Sequence, residues 1–187
     1  MKTTKMVVYK KIKAMISLEN VRVGDQIEIP LKGFGVFTAT AYKVTGAGVL
    51  FIFDNCVTKR RMNSNNSING GYSESEISSW IQNVLFEALP DELKSITREF
   101  AIPTYGQIFG HDHWYEEAVE ADEDKRIALM KIRKNRICMY NNETCWYWLR
   151  NATKKGEYFN LVNYNGDAYC DDATFLGGIR PTIFLKQ

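Results

Sequence analysis

Histidine is almost missing from this sequence: two residues in 187, His111 and His113, both inside one GHDHW stretch. General acid–base chemistry near neutral pH leans on histidine more than on any other side chain. Catalysis of that kind therefore has one segment from which to draw its base. Cysteine is scarce too. Cys56, Cys138, Cys145 and Cys170 stand apart with no C-x-x-C pair, which removes the usual ligand spacing of a structural zinc site. Neither a G-x-x-x-x-G-K loop nor a G-x-G-x-x-G loop follows a strand pattern, so no phosphate cradle is evident. Charge of one sign is lacking as well: 24 basic and 22 acidic residues leave a net +2. Such a chain has no global field to draw in nucleic acid or anionic lipid. No apolar run approaches the ~20 residues that cross a bilayer. Lys10, Lys11 and Lys13 interrupt the N-terminal stretch before it forms a signal-peptide core. The expectation is a cytoplasmic protein with reduced thiols, no membrane contact and no cofactor.

What is present suits one globular domain over residues 1–187, with 1–15 as a flexible or edge-strand N-terminus. Hydrophobic residues make up 45% and aromatics 13%, enough for a sizeable core with rings left for a surface. The N-terminal third reads as antiparallel strands. Asp25 to Leu31 alternates polar and apolar, Val36 to Val44 is rich in β-branched and aromatic residues, and Val49 to Phe53 is a continuous apolar run. A polar loop, expected to be mobile, spans Asn63 to Gly71. Ser73 and Glu76 then have capping-box spacing. Ile77, Trp80, Ile81, Val84, Leu85, Ala88 and Leu89 follow at helical periodicity, which predicts a helix with Trp80 in the core, ended by Pro90. A short second helix is predicted over Asp91 to Ile96. A third begins near Tyr105, where Thr104 and Gln107 repeat the capping box.

An acidic block from Glu116 to Asp124 adjoins a basic one from Lys125 to Arg136, which suggests a charged loop or insertion over 116–136. The last third returns to strands. Trp146 to Leu149 is aromatic, with Trp146 and Trp148 expected to pack together. Tyr158 to Val162 and Ala168 to Cys170 flank Asn165-Gly166, a pair that favours a type I′ turn. A closing strand, Ile179 to Leu185, contains Pro181, which predicts a sheet edge or bulge there.

The stretches CWYWLRNAT, LVNYNGDAY and GGIRPTIFL resemble the closing signature of an uncharacterised bacterial domain family, which ends in a WLR strand, an NG hairpin and a GVRP-type strand. VGDQIEI, SEISSWIQNVLFEALPDEL and IPTYGQIFG extend the resemblance over most of the chain. Members of that family are often carried by phages and conjugative elements. The order of PT-x-x-Q helix start, W-L-R strand, NG hairpin and final RP strand is also similar to C-type-lectin-like domains. These include relatives of the formylglycine-generating enzyme and retroelement variable proteins. The resemblance implies an α+β, C-type-lectin-like single domain: N-terminal antiparallel strands, two or three central helices, a C-terminal hairpin and a closing strand. It also implies a ligand face between the aromatic strand and the last strand. The calcium motifs of sugar-binding lectins and the cysteine arrangement of the formylglycine enzyme are not evident in this sequence.

From these residues the expected function is recognition, not catalysis. The candidate binding face draws on Trp114, Tyr115, Asn151, Lys154, Lys155, Tyr164, Asp167, Tyr169, Asp171 and Asp172. Trp, Tyr and Arg are the side chains that carry most interface energy, so the expected partner is a protein. The resemblance implies an accessory protein of a mobile element, and an inhibitor of a host defence nuclease is one form of that. The alternative is an enzyme or metal-binding protein using His111 and His113, although zinc usually takes three or four protein ligands. Nucleic acid is the weaker partner, because the basic clusters Lys59 to Arg61, Lys131 to Arg136 and Lys154-Lys155 are small and locally balanced. Arg150 and Arg180 are expected in hydrogen-bonded structural roles.

Overall fold

The structure, a computed structural model, describes residues 18–111, 119–153 and 157–186. They build an α+β fold of two five-stranded sheets, one small hairpin and short helices. Strands β1 (Gln26–Leu31), β2 (Gly35–Thr45) and β3 (Gly48–Phe53) form the expected antiparallel meander. The first sheet has the order β1-β2-β3-β12-β5, with β5 at Thr97–Ala101 and β12 at Thr182–Lys186. The chain's last strand thus lies inside the sheet, paired antiparallel on both sides. The second sheet runs β10-β9-β8-β11-β4. Its members are β4 (Thr58–Arg60), β8 (Tyr147–Ala152), β9 (Phe159–Val162), β10 (Ala168–Asp171) and β11 (Gly177–Ile179).

Every residue of β3 is buried, which explains its unbroken apolar run. Val49, Phe51 and Phe53 enter one core cluster, and Leu50 and Ile52 enter another. The same division holds for β8: Trp148 joins the first cluster, Tyr147 and Leu149 the second. A strand covered on both faces needs no polar alternation. Trp146 and Trp148 pack edge to face, ring centres 4.9 Å apart, and the Trp148 indole donates to the Arg60 carbonyl at 3.0 Å.

Helix α1 (Glu76–Trp80) starts two residues later than the S-x-x-E spacing suggests. Ser75, not Ser73, is its N-cap and accepts from Ser78 N at 3.1 Å. Glu76 turns instead to Ser64, accepting from both its amide and its hydroxyl. The helix continues through Ile81–Leu85 with a wider, π-type turn, in which Phe86 N donates to Ile81 O. That underwinding keeps a row spaced by four, Ile77, Ile81, Leu85 and Leu89, against the core. Val84 is left exposed, and Trp80 is half-buried between the Phe34 ring and the Arg60 guanidinium. The predicted second helix is present as α2 (Asp91–Ile96). The third is present as α3 (Tyr105–Phe109), with its Thr104–Gln107 capping box closed in both directions.

Two turns differ from expectation. Asn165-Gly166 does not form a two-residue hairpin. The β9–β10 loop is longer: Asn163 N donates to Asp167 O, and Gly166 N donates back to Asn163 O, with Gly166 at φ 80°. Asn165 does not take the positive φ that a type I′ turn demands of both central residues. That geometry belongs instead to Asn141-Asn142, at φ 52° and 66°, between β6 (Cys138–Tyr140) and β7 (Glu143–Cys145). Pro181 also sits at neither an edge nor a bulge. It lies where the chain leaves β11 in one sheet for β12 in the other, so its missing N–H breaks no ladder. Its carbonyl accepts from Phe53 N at 2.9 Å.

The segment Asn63 to Gly71, expected to be mobile, is tied at its start. Asn63 Nδ2 donates to Ser67 O, its Oδ1 accepts from Glu76 N, and its own amide donates to Ala173 O. Much of the charged block is likewise structural. Asp122 accepts from Gly106 N at 2.7 Å, and Asp124 accepts from Thr104 Oγ1 and Gln107 Nε2. Both acids therefore complete the N-terminus of α3. Arg136 is buried and donates to the carbonyls of Gly166 and Met130. These charges are turned inward because the backbone around them offers unpaired donors and acceptors. Residues 116–118 of that block lie outside the described residues.

Candidate functional site: an aromatic edge and a polar cleft

Strand β10 is the last strand of the second sheet and takes no further strand partner among the described residues. The segment around it carries half of the large exposed hydrophobic side chains found among the described residues. Tyr164 is 52% exposed, Tyr169 62%, Phe175 53% and Leu176 58%, with Tyr158 nearby in sequence at 40%. The strand explains part of this: Tyr169 stands opposite Leu161 of β9, and Cys170 opposite Asn160. Tyr164 sits at the tip of the hairpin. It is presented by a loop that Asn163 Oδ1 holds rigid by accepting from Asn165 N and Asp167 N. Asp172 fixes the following turn, accepting from Thr174 N and Oγ1.

The sequence-predicted face is thus partly assembled. Tyr164 and Tyr169 are exposed on it, and Asp171 and Asp172 are half-exposed beside it. Asp167 is committed to an ion pair with Arg133 at 2.7 Å. Asn151 is not on the face. It is buried, its Oδ1 accepting from Tyr105 N at 2.6 Å and its Nδ2 donating to Asp122 at 2.9 Å. A strand residue whose neighbours are helix-start amides is drawn in to satisfy them. Trp114, Tyr115, Lys154, Lys155 and His113 lie outside the described residues, and His111 is exposed. Among the described residues no group of three or more His, Cys, Asp or Glu has the arrangement to hold a metal ion. Phe175 and Leu176 were missed by sequence reasoning. An apolar pair between an aspartate turn and a diglycine was the available signal.

A second concavity, a cleft of about 350 Å³, lies among Tyr72, Ser78, Gln82, Glu99, Asp122 and Arg150. Arg150 is held by the Ile102 carbonyl and by Glu99, each at 2.5 Å, with its guanidinium 5.7 Å from the Tyr72 ring centre. Glu120 accepts from the amides of Tyr72 and Ser73. Each carboxylate facing the cleft is therefore spent on a backbone amide or on arginine. Burial pushes the Tyr72 phenol up to about 12, and its hydroxyl has no hydrogen-bond partner among the described residues. Among the described residues, the arrangement can hold a polar group with its carboxylates already paired.

Members of two of the basic clusters are drawn into internal contacts, while Lys154-Lys155 lies outside the described residues. Lys59 lies over the Tyr140 ring, Arg60 over Trp80, and Arg136 over Phe109. No helix among the described residues is long and apolar enough to cross a membrane.

Fold and surface together define an α+β domain that presents exposed aromatic side chains along an open sheet edge. The chain belongs to the family described as a domain of unknown function, DUF6273, whose profile matches residues 47–187. That span takes in every element from β3 onward and leaves β1 and β2 outside the match. No curated protein and no solved structure matches the chain.

Proposed function

We propose that the domain is a non-enzymatic recognition module that binds a protein partner through β10 and the exposed side chains of Tyr164, Tyr169, Phe175 and Leu176. The observation that carries this reading is the exposure of Tyr164 and Tyr169 on the hairpin and strand of one open edge, with Phe175 and Leu176 exposed in the connection that runs on to β11. Aromatic side chains bury much area at low entropic cost and anchor protein interfaces. An edge strand adds unpaired backbone donors and acceptors that a partner's extended segment satisfies. A C-type-lectin-like reading of the fold agrees with this placement, since such domains display ligand between the aromatic strand and the last strand. The tail's resemblance to domains carried by phages and conjugative elements supports an accessory protein of a mobile element. Inhibition of a host defence nuclease is the most specific version of that reading.

The test is affinity capture from a lysate of the native host with wild-type protein and a Tyr164→Ser/Tyr169→Ser double variant. A protein retained by the wild type and lost by the variant, at unchanged melting temperature, is the expected result. Equal retention by both proteins removes the proposed face.

A further inference from the structure

Three thiols scattered through the sequence meet inside the fold. Cys56 follows β3, and its amide donates to Met139 O at 2.9 Å, which holds it against β6. Cys138 on β6 stands directly opposite Cys145 on β7. All three side chains are buried, and Cys56 Sγ lies 2.9 Å from Cys138 Sγ. Gly178 closes the third side: a β-carbon there would come within 2.6 Å of Cys56 Sγ and 2.9 Å of Cys145 Sγ. The chain keeps a glycine where any side chain would press on the sulfurs. A disulfide has an S–S bond of about 2.0 Å, so the Cys56 and Cys138 sulfurs are within about an ångström of bonding distance. Cys170 lies away from this group on β10.

The environment distinguishes the two thiols. Burial pushes Cys56 well up, and its contacts with Cys138 and Cys145 push the same way. Burial also opposes a Cys138 thiolate, but the hydrogen bond with Cys56 and the Arg180 charge outweigh it and hold Cys138 below the ordinary thiol value. Cys138 is therefore the nucleophile of the pair, since the thiolate is the reactive form.

We propose that Cys56 and Cys138 are a redox modification site, converted to a disulfide by a small hydroperoxide such as hydrogen peroxide. The Cys138 thiolate attacks one peroxide oxygen and the O–O bond breaks, leaving a sulfenic acid on Cys138. The departing hydroxide takes the proton of Cys56 and leaves as water. The Cys56 thiolate then attacks the Cys138 sulfur; the S–S bond forms, the S–O bond breaks, and the second hydroxide leaves as water with the proton that Cys138 shed on ionising. Two thiols lose two electrons, the peroxide gains them, and two waters result. Burial of all three thiols selects a small oxidant over a bulky one such as glutathione disulfide. The bridge joins positions 82 residues apart, so the oxidised protein melts above the reduced one.

Peptide mapping of the wild-type protein after hydrogen peroxide, with alkylation in denaturant, tests this. The expected result is a mass lower by two hydrogens, thiols reduced from four to two, and a Cys56–Cys138 peptide. In Cys56→Ser the sulfenic acid is trapped on Cys138 by a dimedone-type reagent added together with denaturant after the peroxide, and in Cys145→Ser and Cys170→Ser the bridge still forms. Recovery of all four thiols, or a bridge that includes Cys145 or Cys170, overturns the proposal. The map is read on wild-type protein, so it decides the matter even if a serine variant fails to fold.

Discussion

Arg180 donates through Nε to the Phe53 carbonyl at 2.8 Å, joining two residues 127 positions apart. The same guanidinium donates to Asn135 O at 3.0 Å and to the Tyr147 hydroxyl at 3.1 Å, and it is 2% exposed. It ties the step between the two sheets to the end of β3 and to the segment leading into β6. A buried charge is tolerated here because carbonyl and hydroxyl oxygens replace its water.

Replacing Arg180 with methionine keeps much of the stem volume and strands those acceptors. We expect a loss of about 3 kcal/mol, on the scale of hydrogen bonds to a buried charged group. Urea denaturation reads it as a lower midpoint at unchanged slope.

Gly178→Ala should destabilise by about 1–3 kcal/mol, as overpacking in a tight interior does. One of the atoms it meets is the Trp146 carbonyl oxygen, at 2.8 Å from the new β-carbon, and backbone does not step aside. Gly46→Ala is the control: nothing lies within 4 Å of a β-carbon there, so its melting temperature should stay close to that of the wild type.

Tyr72→Phe should leave stability at neutral pH unchanged or slightly raised, because it removes a buried hydroxyl that has no partner among the described residues. At alkaline pH the variant should pull ahead. The folded phenol is raised from 10.0 to about 12, so its contribution is complete below 10 and is lost as pH climbs through 12. Urea midpoints for both proteins at neutral pH and between those two values give the comparison. A difference that does not grow with pH would count against the assignment.

Glu76 is an exposed carboxylate held below its ordinary value, chiefly by the Ser64 hydroxyl and then by the Ser64 amide. A lowered pKa contributes stability above the unfolded value and loses it as pH falls through the folded one. The wild type should therefore lose stability on acidification that Glu76→Gln does not lose. Parallel thermal melts across the carboxylate range measure the difference.

Much of the architecture was legible because local chemistry dictates it. Alternation marks β1, the unbroken apolar run marks β3, and the Thr104–Gln107 box starts α3 where it should. The errors have a common cause. Ser73 and Ser75 are equivalent as caps in one dimension, and Asn63 and Ser64, brought alongside the helix start, decide between them. Asn141-Asn142 takes the type I′ geometry because its strands are joined by two residues only, while Asn163 Oδ1 holds Asn165-Gly166 in a longer loop. Asn151 was expected on the surface, yet the backbone of α3 needs its amide.

Residue order by itself determined strands β1 to β3, β8 to β10 and β12 and the three helical segments, the exposure of Tyr164 and Tyr169 on a polar hairpin, and the structural roles of Arg150 and Arg180. Periodicity, capping and turn preference act over a few residues and leave a local trace. Tertiary structure alone decided that Asp122 and Asp124 turn inward, that β12 threads the first sheet, and that three distant cysteines share one buried space. Those outcomes depend on which groups long loops bring together, and hydrogen-bond satisfaction and packing act on that proximity whatever the separation along the chain.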